Sequence, residues 1–447
     1  MSYSSLSKHR QQVALAIKEG IMTKKFGYFI IILNMILSVA YALPNPAQDP
    51  RVQKVYEQLQ GQMIWIKNGE WTPYAQTVLK TLSHAEEEGL WPEDYTPFVE
   101  TLQNADLSSE EIQKQAEGLL TLVALNYISD MKGGRLRNCM FKSISVKPPS
   151  IDEAELLTSY VSQGNPGGWI YGVVPSGPEY KQLKQLLAEY RQKLEKGNKG
   201  PKASAQQRIQ SIIVSLEKQR WFPNPLPARY LQVNVAGFYL KAVEGGTPVF
   251  YMPIIVGKTN KKTPVFHAPM REIIFNPSWH VPPSIVKELL PKIGNNPGAF
   301  ARKGYRVTNA GSGVRIVQSP GNGNALGKIR FTIDSPFAIY LHGTPQQNLF
   351  RKVKRALSHG CIRVENPAKL AEFVLSDPNW PLDRVKAQAQ GSTTRRVKLD
   401  QPLPTYITYF TVFENENQKM TFVEDGYGQD KQVWAALVKA KRNVQAH

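Results

Sequence analysis

The sequence predicts an α+β multidomain chain: a helical N-terminal domain, then a mainly β domain with a capping insertion. Three observations carry this. Apolar residues recur at helical spacing from Asp49 to about Leu194. From Tyr230 onward the pattern changes to short alternating runs broken by turn residues. Between them Gln192 to Gln206 (QKLEKGNKGPKASAQ) is polar, basic and contains Gly and Pro, the composition of a linker. The 447 residues leave room for two or three domains of about 150 residues each.

The first domain shows its helices clearly. Ser108-Ser109-Glu110-Glu111 has capping-box spacing, and Ile112, Leu119, Leu120, Val123, Tyr127 and Ile128 follow on one face. Gly133-Gly134 ends that helix, and Tyr180 to Tyr190 forms another. A helix over Arg208–Lys218 opens the second domain. Strands follow at Tyr230–Val235, Phe238–Val243 and Val249–Val256. Ile329–Ile333 and Phe337–Leu341 flank Asp334-Ser335-Pro336 as a hairpin; a helix spans Asn366–Leu375, and strands resume at Thr405–Phe413 and Lys419–Val423. The expected limits are 1–42 for a leader, 43–191 for the helical domain and 192–206 for the linker. The mainly β domain takes 207–430, with its insertion near 282–318, and 431–447 is a tail.

Composition excludes several classes. With 42% apolar and 20% charged residues, the chain is not globally disordered, collagenous, a coiled coil or a polytopic membrane protein. Its net charge of +19 favours polyanionic partners. Cys139 and Cys361 are the two cysteines, too few for a disulfide framework or a Cys-rich zinc module. Lys24-Lys25, an apolar run from Phe26 to about Val39, and Ala40-Tyr41-Ala42 form the layout of a secretory signal. An uncleaved anchor is the competing reading, and Met22 is an alternative start. Residues 1–42 hold five Lys/Arg and one Glu, so cleavage leaves +15. An exported basic protein points to envelope polymers and away from nucleic acid.

The chemistry concentrates in Ile339–Asn366, IYLHGTPQQNLFRKVKRALSHGCIRVEN. A thiol nucleophile needs a base within reach and a group that orients the base. His342 ends a strand, and Cys361 follows in Ser358-His359-Gly360-Cys361. Gly360 lets the backbone approach closely, with the Gly360 and Cys361 amides expected to face an oxyanion. The helix beginning at Asn366 is expected to favour a thiolate. Other readings use the same residues: a buried structural thiol or a disulfide to Cys139, and a zinc site of His342, His359 and Cys361. The run Arg351–Arg355 reads as a solvated helix face.

SHGCIRVEN behind His342-Gly343 resembles the catalytic signature of the L,D-transpeptidases (YkuD-type catalytic domain). FNPSWHVPPS from Phe275, SPGNGNALG from Ser319 and YITYF from Tyr406 resemble blocks of the long-form periplasmic members. NGEWTP from Asn68 and AEEEGL from Ala85 resemble their helical scaffold domain. The resemblance implies that Cys361 attacks the diaminopimelate–D-Ala bond of a peptidoglycan stem, and that carbapenem-type β-lactams acylate it. It implies His342 as base, oriented by the Gly343 carbonyl, and His359, Gly360 and Cys361 around the oxyanion. Tyr340, Arg363, Trp279, Ser358 and Asn366 are expected to bind substrate. No cofactor or metal is implied; other wall-synthesis proteins are candidate partners, and the membrane is met only through an uncleaved N-terminus. A cysteine carboxypeptidase or hydrolase of wall peptides, and a lapsed wall-binding scaffold, are the alternatives. Two features depart from the pattern: 192–206 is too short for a peptidoglycan-binding module, and Val317 stands where an Arg is expected before Gln318.

Overall fold

The computed structural model describes residues 45–442, apart from 140, 142, 147, 197–201 and 311–312. The leader expected over 1–42 lies outside the described residues. Among those described, no helix is long and apolar enough to cross a membrane.

The helical part contains α1 (Pro50–Gln58), a short ribbon of β1 (Ile66–Lys67) and β2 (Glu70–Trp71), α2 (Pro73–Ser83), α3 (Thr96–Gln103) and α4 (Glu110–Lys132). It continues with α5 (Glu153–Ser162), α6 (Trp169–Val173), α7 (Pro178–Glu195) and α8 (Lys202–Gln219). The central helix α4 is buried along most of its length, which its apolar residues on several faces require. Its N-cap is Ser109, whose side chain makes no capping bond. The expected capping box therefore does not form, because Ile112 and not an acid occupies the third helical position. Glu117 of α4 instead accepts from the Ile64, Trp65 and Ile66 amides and holds β1 onto the helix.

Most of the stretch expected as a linker is helical. The end of α7 and the start of α8 occupy it, and the two helices pack together. Ile212, Ile213 and Leu216 of α8 lie in the same apolar core as Leu120 and Leu187. The expected tail also differs: α13 (Gln429–Lys439) buries Val433 and Leu437 in that core. Arg442 beyond it reaches Asp130 at 2.8 Å.

The β part is built from β3 (Tyr230–Asn234), β4 (Tyr239–Glu244), β5 (Thr247–Gly257), β6 (Phe266–Phe275), β10 (Ile329–Ile333), β11 (Tyr340–His342), β13 (Ile362–Val364) and β14 (Arg395–Thr408). The strands pair in the order β5-β13-β11-β10-β6-β14-β3-β4, and β4 also pairs with β5, so the eight close into a ring. Strand β12 (Ala356–Ser358) runs parallel to β5 outside it. Alternate residues fill the interior: Met252 and Ile254, Ile273 and Phe275, Ile329 and Phe331, Leu341, Ile362 and Val364. Helix α11 (Pro367–Leu375) adds Leu370, Ala371 and Val374 to that core, and α12 (Leu382–Gln390) adds Val385. On the far side Tyr230, Tyr406 and Phe410 join the helical core, so the two parts share an apolar interface.

Between β6 and β10, which are adjacent in the ring, the chain makes an excursion. It holds β7 (Trp279–His280), α9 (Pro283–Asn295), α10 (Pro297–Arg302), β8 (Tyr305–Ala310) and β9 (Gly313–Gln318). These have their own small core of Val281, Ile293 and Ile316. The final ribbon, β15 (Val412–Glu414) with β16 (Met420–Phe422), leads into α13.

Candidate active site

The site forms where β11 and β13 run side by side. Leu341 pairs with Ile362 and His342 with Arg363, which sets Cys361, just before β13, beside the end of β11. A gap of 19 residues in sequence is thereby closed by one parallel pairing.

His342 is buried. Its Nδ1 lies 2.6 Å from the Gly343 carbonyl oxygen. Donation from Nδ1 to that carbonyl leaves Nε2 as the free lone pair. The carbonyl is itself fixed, since Gly343 N–H donates to Ile329 O at 2.9 Å. Gly327 packs beneath it, where a Cβ would come within 2.6 Å of the Gly343 carbonyl carbon. Burial, and then the charge of Arg363, hold the His342 pKa down at about 3. The imidazole is therefore neutral at physiological pH, as a base must be.

Cys361 sits on a turn built by its neighbours. Ser358 Oγ donates to Cys361 O at 2.6 Å and accepts from Gly360 N–H at 3.1 Å. Gly360 holds φ +119°, a backbone state that side chains resist. Thr263 Oγ1 donates to Gly360 O at 2.7 Å and accepts from Gly257 N–H at 2.9 Å. Tyr427 ties the same corner by donating to Gly257 O. The Gly360 amide, expected to face an oxyanion, is thus engaged by Ser358.

The expected thiolate is not the resting state either. Burial pushes the Cys361 thiol up, and the Tyr340 contacts with the Arg330 and Arg363 charges oppose it without reversing it. A neutral thiol beside a neutral imidazole defines the site at rest. The Sγ faces Ala338 O at 3.7 Å.

The other predicted residues separate into groups. Tyr340 stands on β11 with its ring 5.6 Å from that of His342, and Cys361 and Trp279 both bear on its hydroxyl. Trp279 comes from the excursion, so that segment borders the site. Arg363 reaches Gln346 Oε1 at 2.8 Å. Ser358 is buried and holds the turn. Asn366 caps α11, its Oδ1 accepting from Lys369 N–H at 3.0 Å, which is a structural duty. His359 places Nε2 2.9 Å from Glu288 Oε2 on α9. Cys139 and Cys361 are both free thiols, which removes the disulfide reading. No group of three metal-ligating side chains assembles among the described residues, so the three zinc candidates do not converge. Arg351–Arg355 is no helix face: it leaves a single 3₁₀ turn, and Arg355 bonds Ile254 O and Phe238 O.

Sequence reasoning missed Thr263, Glu288 and Arg330. The first two act across folded distances with no motif around them. Arg330 carried a readable signal, because it lies on the strand that the predicted hairpin pairs with His342. Gln318 is buried and binds Lys303 O and Gly323 O, which fixes the loop behind Trp279.

A buried imidazole anchored through Nδ1, on the strand that pairs beside a turn-held cysteine, is an arrangement suited to cysteine–histidine chemistry on a closed sheet. Comparison with known proteins makes this specific. Residues 228–397 match the L,D-transpeptidase catalytic domain, and residues 50–187 match the scaffold domain. The chain therefore carries an L,D-transpeptidase catalytic domain joined to a scaffold domain. A Haemophilus influenzae protein, provisionally designated an L,D-transpeptidase, is 30% identical over 219 residues. That similarity spans 45% of this chain and 44% of the relative, less than half of either. Among solved structures, the L,D-transpeptidase from Mycobacterium smegmatis is 10% identical over 40% of this chain and 58% of its own, with a TM-score of 0.24. Mycobacterium tuberculosis L,D-transpeptidase 1 is 12% identical over 40% of this chain and 61% of its own, with a TM-score of 0.20.

Proposed function

We propose that this chain is an exported L,D-transpeptidase of peptidoglycan. His342 Nε2 takes the Cys361 proton as Sγ attacks the carbonyl between diaminopimelate and the terminal D-Ala of a tetrapeptide stem. The tetrahedral centre collapses, His342 returns the proton to the departing amine, and D-Ala leaves. The thioester then passes to an amine of a second stem, forming a 3-3 cross-link, and the thiol is restored. The observation that supports this reading is the His342 Nδ1 contact with Gly343 O, on the strand whose pairing with β13 brings Cys361 alongside. Tyr340, Trp279 and Arg363 border the proposed donor site, and His359 supports the rim through Glu288.

The remaining particulars belong to the same proposal. Residues 1–42 export the chain, by a cleaved signal or a retained anchor, to the periplasm or envelope. The basic surface suits an anionic wall, and carbapenems add covalently to Cys361.

The test is mass spectrometry of the protein with diaminopimelate tetrapeptide muropeptides, beside Cys361→Ala. Loss of D-Ala with a new dimer, abolished in the variant, is expected. Loss of D-Ala without dimer would make the protein a carboxypeptidase. No turnover by the intact protein would favour the wall-binding scaffold.

A further inference from the structure

We propose that Arg330 and Arg363 form a carboxylate clamp on either side of His342, and that it holds the free carboxylate of the residue expelled on acylation. The clamp itself rests on geometry; the identity of the carboxylate rests on the transfer reading above.

Arg330 pairs directly with His342 across β10 and β11, and His342 pairs directly with Arg363 across β11 and β13. Neighbouring strands lie about 4.8 Å apart, so these three side chains stand abreast. Their sequence neighbours Ile329, Phe331, Leu341, Ile362 and Val364 fill the ring's interior. The base and both guanidinium groups therefore share the outer face, with the base in the middle.

Neither cation has a carboxylate partner among the described residues. Arg330 lies over the Tyr340 ring, its Cζ 4.5 Å from the centroid. Arg363 spends Nη1 on the neutral Gln346. The Nε of each arginine is buried without a hydrogen-bond partner. Glu272, opposite Thr332 on β6, is held by Arg396 at 3.1 Å. Two guanidinium groups that flank the imidazole, each with a buried Nε and no carboxylate counter-ion, make a site for an anion, and planar forks suit a carboxylate.

The position beside the base selects which carboxylate. His342 hands its proton to the leaving nitrogen, and the terminal carboxyl carbon is separated from that nitrogen by one carbon. A group abreast of the base meets that carboxylate first. Its arrival also neutralises charges that suppress the basicity of His342. Binding the correct donor thus strengthens the base that must take the thiol proton.

The experiment has two arms, both on the full chain. In the first, Cys361 is alkylated with iodoacetate and with iodoacetamide. The anionic-to-neutral rate ratio is expected to fall about tenfold in Arg330→Gln, with partial recovery in Arg330→Lys. The neutral reagent reports whether the variant still presents its thiol. In the second, donors with a free terminal carboxylate, a terminal carboxamide or an amidated diaminopimelate side chain are compared. Terminal amidation is expected to cost the wild type about tenfold in kcat/KM and to cost Arg330→Gln little. An unchanged alkylation ratio in Arg330→Gln would overturn the clamp. Sensitivity to side-chain amidation alone would overturn its assignment to the leaving residue. If the wild type turns over no donor, the transfer reading fails, and the alkylation ratio still decides the clamp.

Discussion

His359 Nε2 and Glu288 Oε2 stand 2.9 Å apart, joining the residue two before Cys361 to helix α9 of the excursion. Lys261 approaches the other carboxylate oxygen at 3.7 Å. These contacts tie α9 to the rim of the site. His359 holds the carboxyl of Glu288 below its ordinary range. A depressed carboxylate contributes above its unfolded pKa and loses that contribution as pH falls through its folded value. The protection factors of the amides across Pro283–Asn295, corrected for intrinsic exchange, are expected to fall when the pH drops from 7 to about 3.5. Glu288→Gln is expected to show the lower protection already at pH 7, and protection equal to the wild type's in that variant would contradict the tie.

His342 gives a second pH dependence, of separate origin. Its folded pKa is about 3, against about 6.5 when unfolded. Between those values the unfolded chain binds a proton that the folded chain refuses. Stability is retained above the unfolded value and falls as pH drops through the window, with a limiting slope of about 1.4 kcal/mol per pH unit. Thermal melts from pH 6.5 to 4 should show a steeper loss for the wild type than for His342→Gln. Equal slopes would mean that the imidazole is not buried in its neutral form.

Thr263 supports the Cys361 turn from another loop. Thr263→Val removes the hydroxyl while keeping the shape, and leaves the Gly257 N–H and Gly360 carbonyl unmatched. A loss of about 1–3 kcal/mol is expected in denaturant unfolding, with recovery in Thr263→Ser. Acylation of Cys361 should slow alongside it. Full activity in the Val variant would show that the turn holds without this bond.

The C-terminal helix α13 closes the helical core from the far end of the chain. Leu437 is buried there, and its backbone carbonyl accepts from Trp91 Nε1 at 3.2 Å. Leu437→Ala is expected to cost about 2–5 kcal/mol in urea unfolding of the full chain. A negligible change would mean that α13 is a loose appendage.

The sequence by itself determined the class of each part and the candidate residues of the centre. Helical spacing exposes α4, and alternation exposes β3, β4 and β5, because a local period records which face meets a core. His342, Cys361 and Gly360 were legible because one short block holds the candidate nucleophile, its candidate base and the residue that permits the turn. Tertiary structure decided what depends on partners distant in the chain. It converted the polar stretch 192–206 largely into two packed helices, since Ile212 and Leu216 further along α8 gain burial against the helical core. It made a docked helix of the tail through Val433 and Leu437. It assigned His359 to Glu288, the Gly360 amide to Ser358, and Arg330 a place beside His342. Hydrogen bonds and strand register act over a few ångströms of space, whatever the separation in sequence. A motif can therefore name the reacting atoms, and only the fold shows what surrounds them.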